Sequence, residues 1–275
     1  MKIFAISDLH LSFEVDKPMD LFGDHWANYE QRIMDDWNAK VGTDDIGIIA
    51  GDISWAMRMS ETKKDFEFLS KLNGTKIIVR GNHDYWWSTI SKVRENLPAG
   101  VIALQNDSLR VCCGAFPPTP PPAPQDRCVG GKSAKVPITP RQGGGGGERP
   151  TLNTGIVFCG TRGWKIAERR QTLKKEDRAI TDREVIRYEL SLQDAAKKMQ
   201  PGDKLVAVFH FPPFNSTRDE SPFTALCEKY GVTAAVYGHL HGKSCRGELT
   251  TTKNGVTYYL TSCDLLEHKV VEIVL

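Results

Sequence analysis

Lys76-Ile77-Ile78-Val79-Arg80-Gly81-Asn82-His83-Asp84 sets a β-branched run against a turn crowded with polar side chains. A short run of this kind, closed by glycine, reads as a buried strand and the loop that follows it. Four more runs share the form. Residues 3–7 lead into Asp8-Leu9-His10 and residues 46–50 into Gly51-Asp52, while residues 205–209 lead into His210. Residues 234–237 lead into Gly238-His239-Leu240-His241. Helical patterns lie between these runs. Residues 26–40 place Trp26, Ile33 and Trp37 at helix-compatible spacing, and residues 61–72 stop at Asn73-Gly74, a C-terminal cap. Residues 86–97 end before Pro98, and the charged, amphipathic stretch 172–200 ends at Pro201-Gly202. Ser221-Pro222 reads as an N-cap with proline at the first helical position, and Gly231 closes that helix. Residues 256–260 and 270–275 add two strand-like runs. Strands alternating with helices predict an α/β chain whose sheets are covered by helices.

One stretch breaks the pattern. Residues 114–150 run through a proline-rich part to five consecutive glycines at 143–147, with no apolar periodicity. A structureless segment of this length is unusual inside a compact domain. It is expected to be a flexible insertion in a hairpin between residues 109–112 and 156–160, within one domain spanning 1–275. A proline-rich ligand for a partner and a lid over the site are the competing readings. Gly131-Lys132-Ser133 is not a phosphate loop, because Asp126 stands where the first glycine is needed.

Composition narrows the class. Apolar residues make up 40% of the 275, enough for a substantial core, and no apolar run approaches the ~20 residues a membrane span needs. No signal-peptide pattern follows Met1, so a cytoplasmic protein is expected, with no membrane partner. Seven cysteines, none in C-x-x-C spacing, suggest reduced thiols. Net charge is +2, but outside residues 114–149 the chain holds 31 basic and 32 acidic side chains. Such a body lacks the basic face that nucleic-acid binding normally needs.

The polar turns carry the chemistry. In open α/β sheets, ligands collect beyond the carboxyl ends of strands, so five such ends can converge on one site. Asp and His together favour Mn²⁺, Fe²⁺ or Zn²⁺, whereas a pure carboxylate cluster would suggest Mg²⁺ or Ca²⁺. Two ions roughly 3.5–4 Å apart can polarise a phosphoryl group and ionise water near neutral pH. Singly, each motif is weak: Gly-Asp is usually a plain turn, and a single histidine is usually a core residue. The conjunction carries the reading, because five of the seven histidines fall in these motifs, in order.

These blocks (D-x-H, G-D, G-N-H-D, H and G-H-x-H, from Asp8 to His241) resemble the calcineurin-like metallophosphoesterase superfamily. The resemblance implies a four-layer αββα sandwich of two mixed sheets flanked by helices. It implies two divalent ions, one held by Asp8, His10 and His241, the other by Asn82, His210 and His239, with Asp52 bridging. His83 would be the general acid, oriented by Asp84. The implied activity is hydrolysis of a small-molecule phosphomonoester or phosphodiester by in-line attack of a metal-generated hydroxide. Gly-Asp-Ile-Ser-Trp at 51–55, Gly-Thr-Arg-Gly-Trp at 160–164 and His-Phe-Pro-Pro-Phe-Asn at 210–215 look most like a group of bacterial predicted phosphohydrolases. A non-catalytic scaffold and a nuclease of the same superfamily are the alternatives; the intact ligand set argues against the first and the near-neutral body against the second.

Around these motifs the residues leave two readings open. Arg162, bracketed by glycines, is either a bidentate phosphate contact or half of an ion pair. Trp55, Tyr85, Trp86 and Trp87 either wall a pocket or pack the core beneath the loops.

Overall fold

A computed structural model describes residues 1–112, 154–242 and 247–275. The expected insertion at 114–150 lies outside the described residues. In chain order the elements are β1 (Ile3–Ile6), α1 (Tyr29–Lys40), β2 (Ile46–Ile49), α2 (Lys63–Ser70), β3 (Thr75–Ile78), α3 (Ile90–Asn96), β4 (Val101–Ala103) and β5 (Ser108–Cys112). After these come β6 (Gly155–Thr161), α4 (Lys175–Lys198), β7 (Lys204–Phe209), α5 (Pro222–Lys229), β8 (Ala234–Tyr237), β9 (Thr250–Lys253), β10 (Val256–Leu260) and β11 (Val271–Glu272).

The strands form two sheets, ordered β11-β1-β2-β3-β4 and β5-β6-β7-β8-β10-β9. Both have parallel centres; β11 runs antiparallel at one margin of the first sheet, whose other edge strand β4 is parallel to β3, and β5 and β9 are antiparallel at both margins of the second. The two-residue period of a strand explains the layering. Ile3 and Ala5 face inward with Ile46, Ile48 and Ile77, against Val206, Val208 and Val236 of the other sheet. Phe4, Ile6 and Ile49 face outward beneath Ile33 and Trp37 of α1 and Leu69 of α2. On the second sheet, Val157, Leu205 and Phe209 meet Tyr188 and Leu192 of α4 and Phe223 of α5. Sheets buried on both faces need near-continuous apolar runs, which is what these strands are. The result is the four-layer αββα sandwich expected.

Helix limits follow local chemistry. Ser221 Oγ accepts from the N–H groups of Phe223 and Thr224, fixing the start of α5. Helix α4 has Glu176 and Asp177 in its first turn and Lys197 and Lys198 in its last, matching the helix dipole. Residues 26–40 do not form one helix. Asn28 sits at a left-handed φ of 50°, so a short 3₁₀ turn at Asp24–Trp26 precedes α1. Likewise 86–97 forms helix only from Ile90, because Trp86 and Trp87 turn into the core. Strands β4 and β9 have no counterpart among the runs read from sequence: β4 is only three residues long, and β9 (Thr-Thr-Thr-Lys) is exposed and polar.

Candidate metal centre

The parallel strands deliver their carboxyl ends to one edge. There the loops are tied to each other: Asp8 N–H donates to Gly51 O at 3.0 Å, and His10 N–H to Asp52 O at 3.0 Å. Gly238 N–H donates to His210 O at 3.0 Å, and Ser7 N–H to Thr261 O at 2.8 Å, which joins the first sheet to the second. Asp8, His10, Asp52 and His239 all take left-handed φ values, between 49° and 69°. Such backbone is uncommon outside glycine and persists where the surroundings over-determine it. Gly81 makes one close approach possible, since a Cβ there would overlap Asp52 Oδ1 and the Asp52 amide.

The side chains converge. His10 and His241 bring ring nitrogens, with Asp8, into one group whose ligand atoms lie within 4.8 Å of one another. Asp8, Asp52 and His210 form a second such group. Asp8 is common to both, while Asp52 Oδ2 lies 3.3 Å from His210 Nε2 and 3.9 Å from His10 Nε2. Asn82 Oδ1 is 2.8 Å from His210 Nε2, whose Nδ1 faces Ala50 O at 3.0 Å. The His239 ring lies 5.2 Å from that of His210 and rests on Phe211 at 3.9 Å. Asp8 is steadied by Ser7 Oγ at 2.6 Å and by the His239 N–H. All seven expected ligands therefore meet at this edge.

Electrostatics follow from burial. Burial pushes the Asp52 carboxyl up, but the His210 and His10 rings and the His83 N–H outweigh it and hold it well below its usual range. Burial would depress His210; the Asp52 and Asp8 carboxylates overcome that and lift it to about 9. His10 and His239 are pushed down to about 4, chiefly by burial, and are held as neutral imidazoles.

His83 stands half-buried at the rim, its ring 5.6 Å from His10 and 4.5 Å from Trp55. The expected contact from Asp84 is not formed. Asp84 Oδ1 accepts from Ile53 N (2.8 Å), Ser54 N (3.1 Å) and Trp86 Nε1 (3.0 Å), and Oδ2 accepts from Gly81 N (2.7 Å). Its oxygens pin the β2 and β3 loops together, while His83 Nδ1 has no hydrogen-bond partner among the described residues. Burial, reinforced by Asp52, pushes Asp84 up to about 6.

Of the aromatic candidates, Trp86 and Trp87 are core residues at 2% exposure. Trp55 stacks on His10 at 4.6 Å and carries Lys17 on its ring at 3.8 Å; Tyr85 is exposed. Arg162 pairs with Glu184 at 3.4 Å, yet its carbonyl accepts the N–H groups of His210 and Phe211. Ser7, Ala50 and Ser54 escape sequence reading, because small residues flanking a motif carry no signal of their own.

Do these residues fit divalent ions? Ten buried side-chain nitrogens and oxygens lack a hydrogen-bond partner among the described residues, and five belong here: both ring nitrogens of His10, Asp52 Oδ2, His83 Nδ1 and His239 Nδ1. Buried polar atoms are normally paired. Neutral imidazoles and carboxylate oxygens aimed at common points are the donor set of a borderline divalent cation. They fit.

A family profile described as calcineurin-like phosphoesterase matches residues 1–243. No curated protein matches in sequence. Among solved structures, one from Thermus thermophilus is similar with a TM-score of 0.52 at 10% identity, covering 99% of this chain and 97% of the other. A phosphopantetheinyl hydrolase from Mycobacterium tuberculosis aligns with a TM-score of 0.46 at 18% identity, covering 95% and 88%. A protein of unknown function from Aquifex aeolicus gives 0.45 at 11%, covering 98% and 95%. At such identities a likeness speaks for fold alone. With its metal-binding motifs gathered at one sheet edge and the profile spanning most of its length, this chain belongs to the calcineurin-like phosphoesterase family.

Proposed function

We propose that the chain hydrolyses a phosphomonoester or phosphodiester of a small molecule at a centre of two divalent metal ions, Mn²⁺, Fe²⁺ or Zn²⁺. The observation that carries this reading is the convergence of carboxylates with buried, unpartnered imidazole nitrogens. In this reading Asp8, His10 and His241 hold one ion and Asn82, His210 and His239 the other. Asp52 would serve both half-sites, since its Oδ2 lies within 4 Å of His10 and of His210. Bound there, the ions supply Lewis acidity for phosphoryl oxygens and a water that ionises near neutral pH.

The chain's own residues do the rest. His10 and His239, kept neutral by burial, present lone pairs rather than protons. Asp52, held ionised, balances cationic charge without competing for protons. His83 delivers a proton to the leaving oxygen. Its Nδ1 has no partner among the described residues, and although burial lowers its affinity for a proton, an arriving phosphate adds negative charge that raises it. Asp84 acts through position, locking the loops that bear Asp52 and His83. Beside His239, a cleft of about 470 Å³ lined by Trp164, Phe211, Phe214 and Tyr237 gives space for the organic part of a substrate.

Asp52→Asn and His83→Ala should each lower Mn²⁺-supported hydrolysis of p-nitrophenyl phosphate or bis-p-nitrophenyl phosphate by about 10²-fold or more. Asp52→Asn should also weaken Mn²⁺ binding. Full activity in both variants would sink the assignment.

A further inference from the structure

A second polar cavity, of about 130 Å³, opens beside the metal centre and shares none of its ligands. Arg80, Arg162 and Arg187 line it, with Thr161 and Glu184. Three guanidinium groups thus face one carboxylate. Glu184 is buried at 2% exposure and is occupied: Arg187 Nη1 lies at 2.6 Å, Arg162 Nη2 at 3.4 Å, and Thr161 Oγ1 donates to its other oxygen. That leaves a positive excess with nothing in the described chain to absorb it. The Nε atoms of Arg80 and Arg162 are buried and find no hydrogen-bond partner among the described residues.

A purely structural ion network would be expected to balance its charge, since buried, unpaired donors on a cation are costly. Guanidinium forks left open in a cavity are the equipment for a planar or tetrahedral oxyanion. The volume suits one, being roughly that of four waters at about 30 Å³ each. Position supplies the link to the site. Arg80 is two residues from Asn82, and the Arg162 carbonyl holds the backbone of His210 and Phe211.

We propose that this arginine cavity is a subsite for a second anionic group of the substrate, a phosphate or carboxylate other than the ester under attack. The proposal rests on the phosphoesterase reading above and narrows its substrate class to phosphoesters carrying a further negative group.

The test has two arms on the full chain. In chelator, inorganic phosphate is titrated against wild type, Arg80→Met/Arg187→Met, the milder Arg187→Met alone, and Asp52→Asn, followed by thermal midpoint. Wild type and Asp52→Asn should be stabilised by phosphate, with apparent affinity about tenfold weaker in the double variant and intermediate in Arg187→Met. An equal phosphate response in all four overturns the anion site. With Mn²⁺ present, the ratio of kcat/KM on adenosine 3′,5′-bisphosphate to that on p-nitrophenyl phosphate should fall about tenfold in the double variant. An unchanged ratio overturns the substrate assignment and leaves the site to free phosphate. If wild type hydrolyses neither probe, the phosphoesterase reading falls and takes the substrate assignment with it. The phosphate titration still decides whether the cavity binds anions.

Discussion

Asp52 shows how tightly single residues are specified at the strand ends. Its backbone is left-handed, one carboxylate oxygen accepts the His83 N–H at 2.7 Å, and the other faces two histidines. Gly81 lies against it with no room for a side chain. Gly81→Ala should therefore displace Asp52, costing about 1–3 kcal/mol of stability from overpacking and weakening Mn²⁺ affinity together. Calorimetric Mn²⁺ titration beside a denaturant melt checks both; unaltered metal affinity in a folded variant would contradict the geometry. The candidate ligands were legible in sequence because each stands within a few residues of the end of an apolar run. The partners of Asp84 were not. The family resemblance implied a contact with His83, but neighbouring side chains on a turn need not face each other. This carboxylate instead turns inward to the amides of Ile53, Ser54 and Gly81. For Trp86 and Trp87 the choice between pocket wall and core stayed open in sequence for the same reason, since proximity to a candidate ligand says nothing of direction; both pack in the core.

Elements position these residues through their ends. Helix α5 begins in a capping box, in which Ser221 Oγ accepts two N–H groups and Thr224 Oγ1 accepts the Ser221 N–H at 2.9 Å. Ser221→Ala should lower stability by about 1 kcal/mol, measured by urea unfolding, while leaving hydrolysis within twofold. A loss of activity without loss of stability would show that α5 matters to the site directly. The five strands that carry the candidate ligands were legible because both faces are buried, which keeps their sequences continuously apolar. Strands β4 and β9 were not, being short or exposed, and their pairing depends on neighbours that a local window cannot see. The hairpin of β5 and β6 is paired as expected, with Cys112 opposite Gly155.

At the scale of the molecule, the sandwich is closed near its C-terminus by His268, which sequence reading left without a role. Its ring is buried against Trp26 at 4.9 Å, and Nε2 meets His25 O at 2.9 Å. Burial, helped by the Arg32 charge, pushes it down to about 4 from 6.5. The unfolded chain then takes up this proton before the folded one does. Its contribution to stability is complete above pH 6.5 and is lost as pH falls toward 4, at no more than about 1.4 kcal/mol per pH unit. His268→Gln should flatten the acid limb of a stability–pH profile over that window; an unchanged slope would remove His268 from the account. No described helix is long and apolar enough to cross a membrane. Four described cysteines, Cys112, Cys159, Cys227 and Cys263, are free thiols, as their spacing suggested.

A phosphoesterase built on a metal pair can be checked by adding Mn²⁺ back to the chelator-stripped chain while following p-nitrophenyl phosphate hydrolysis. No turnover is expected in the stripped chain, with recovery that saturates near two equivalents. Turnover that survives stripping, or none at any Mn²⁺, Fe²⁺ or Zn²⁺ level with mono- and diester alike, would contradict it.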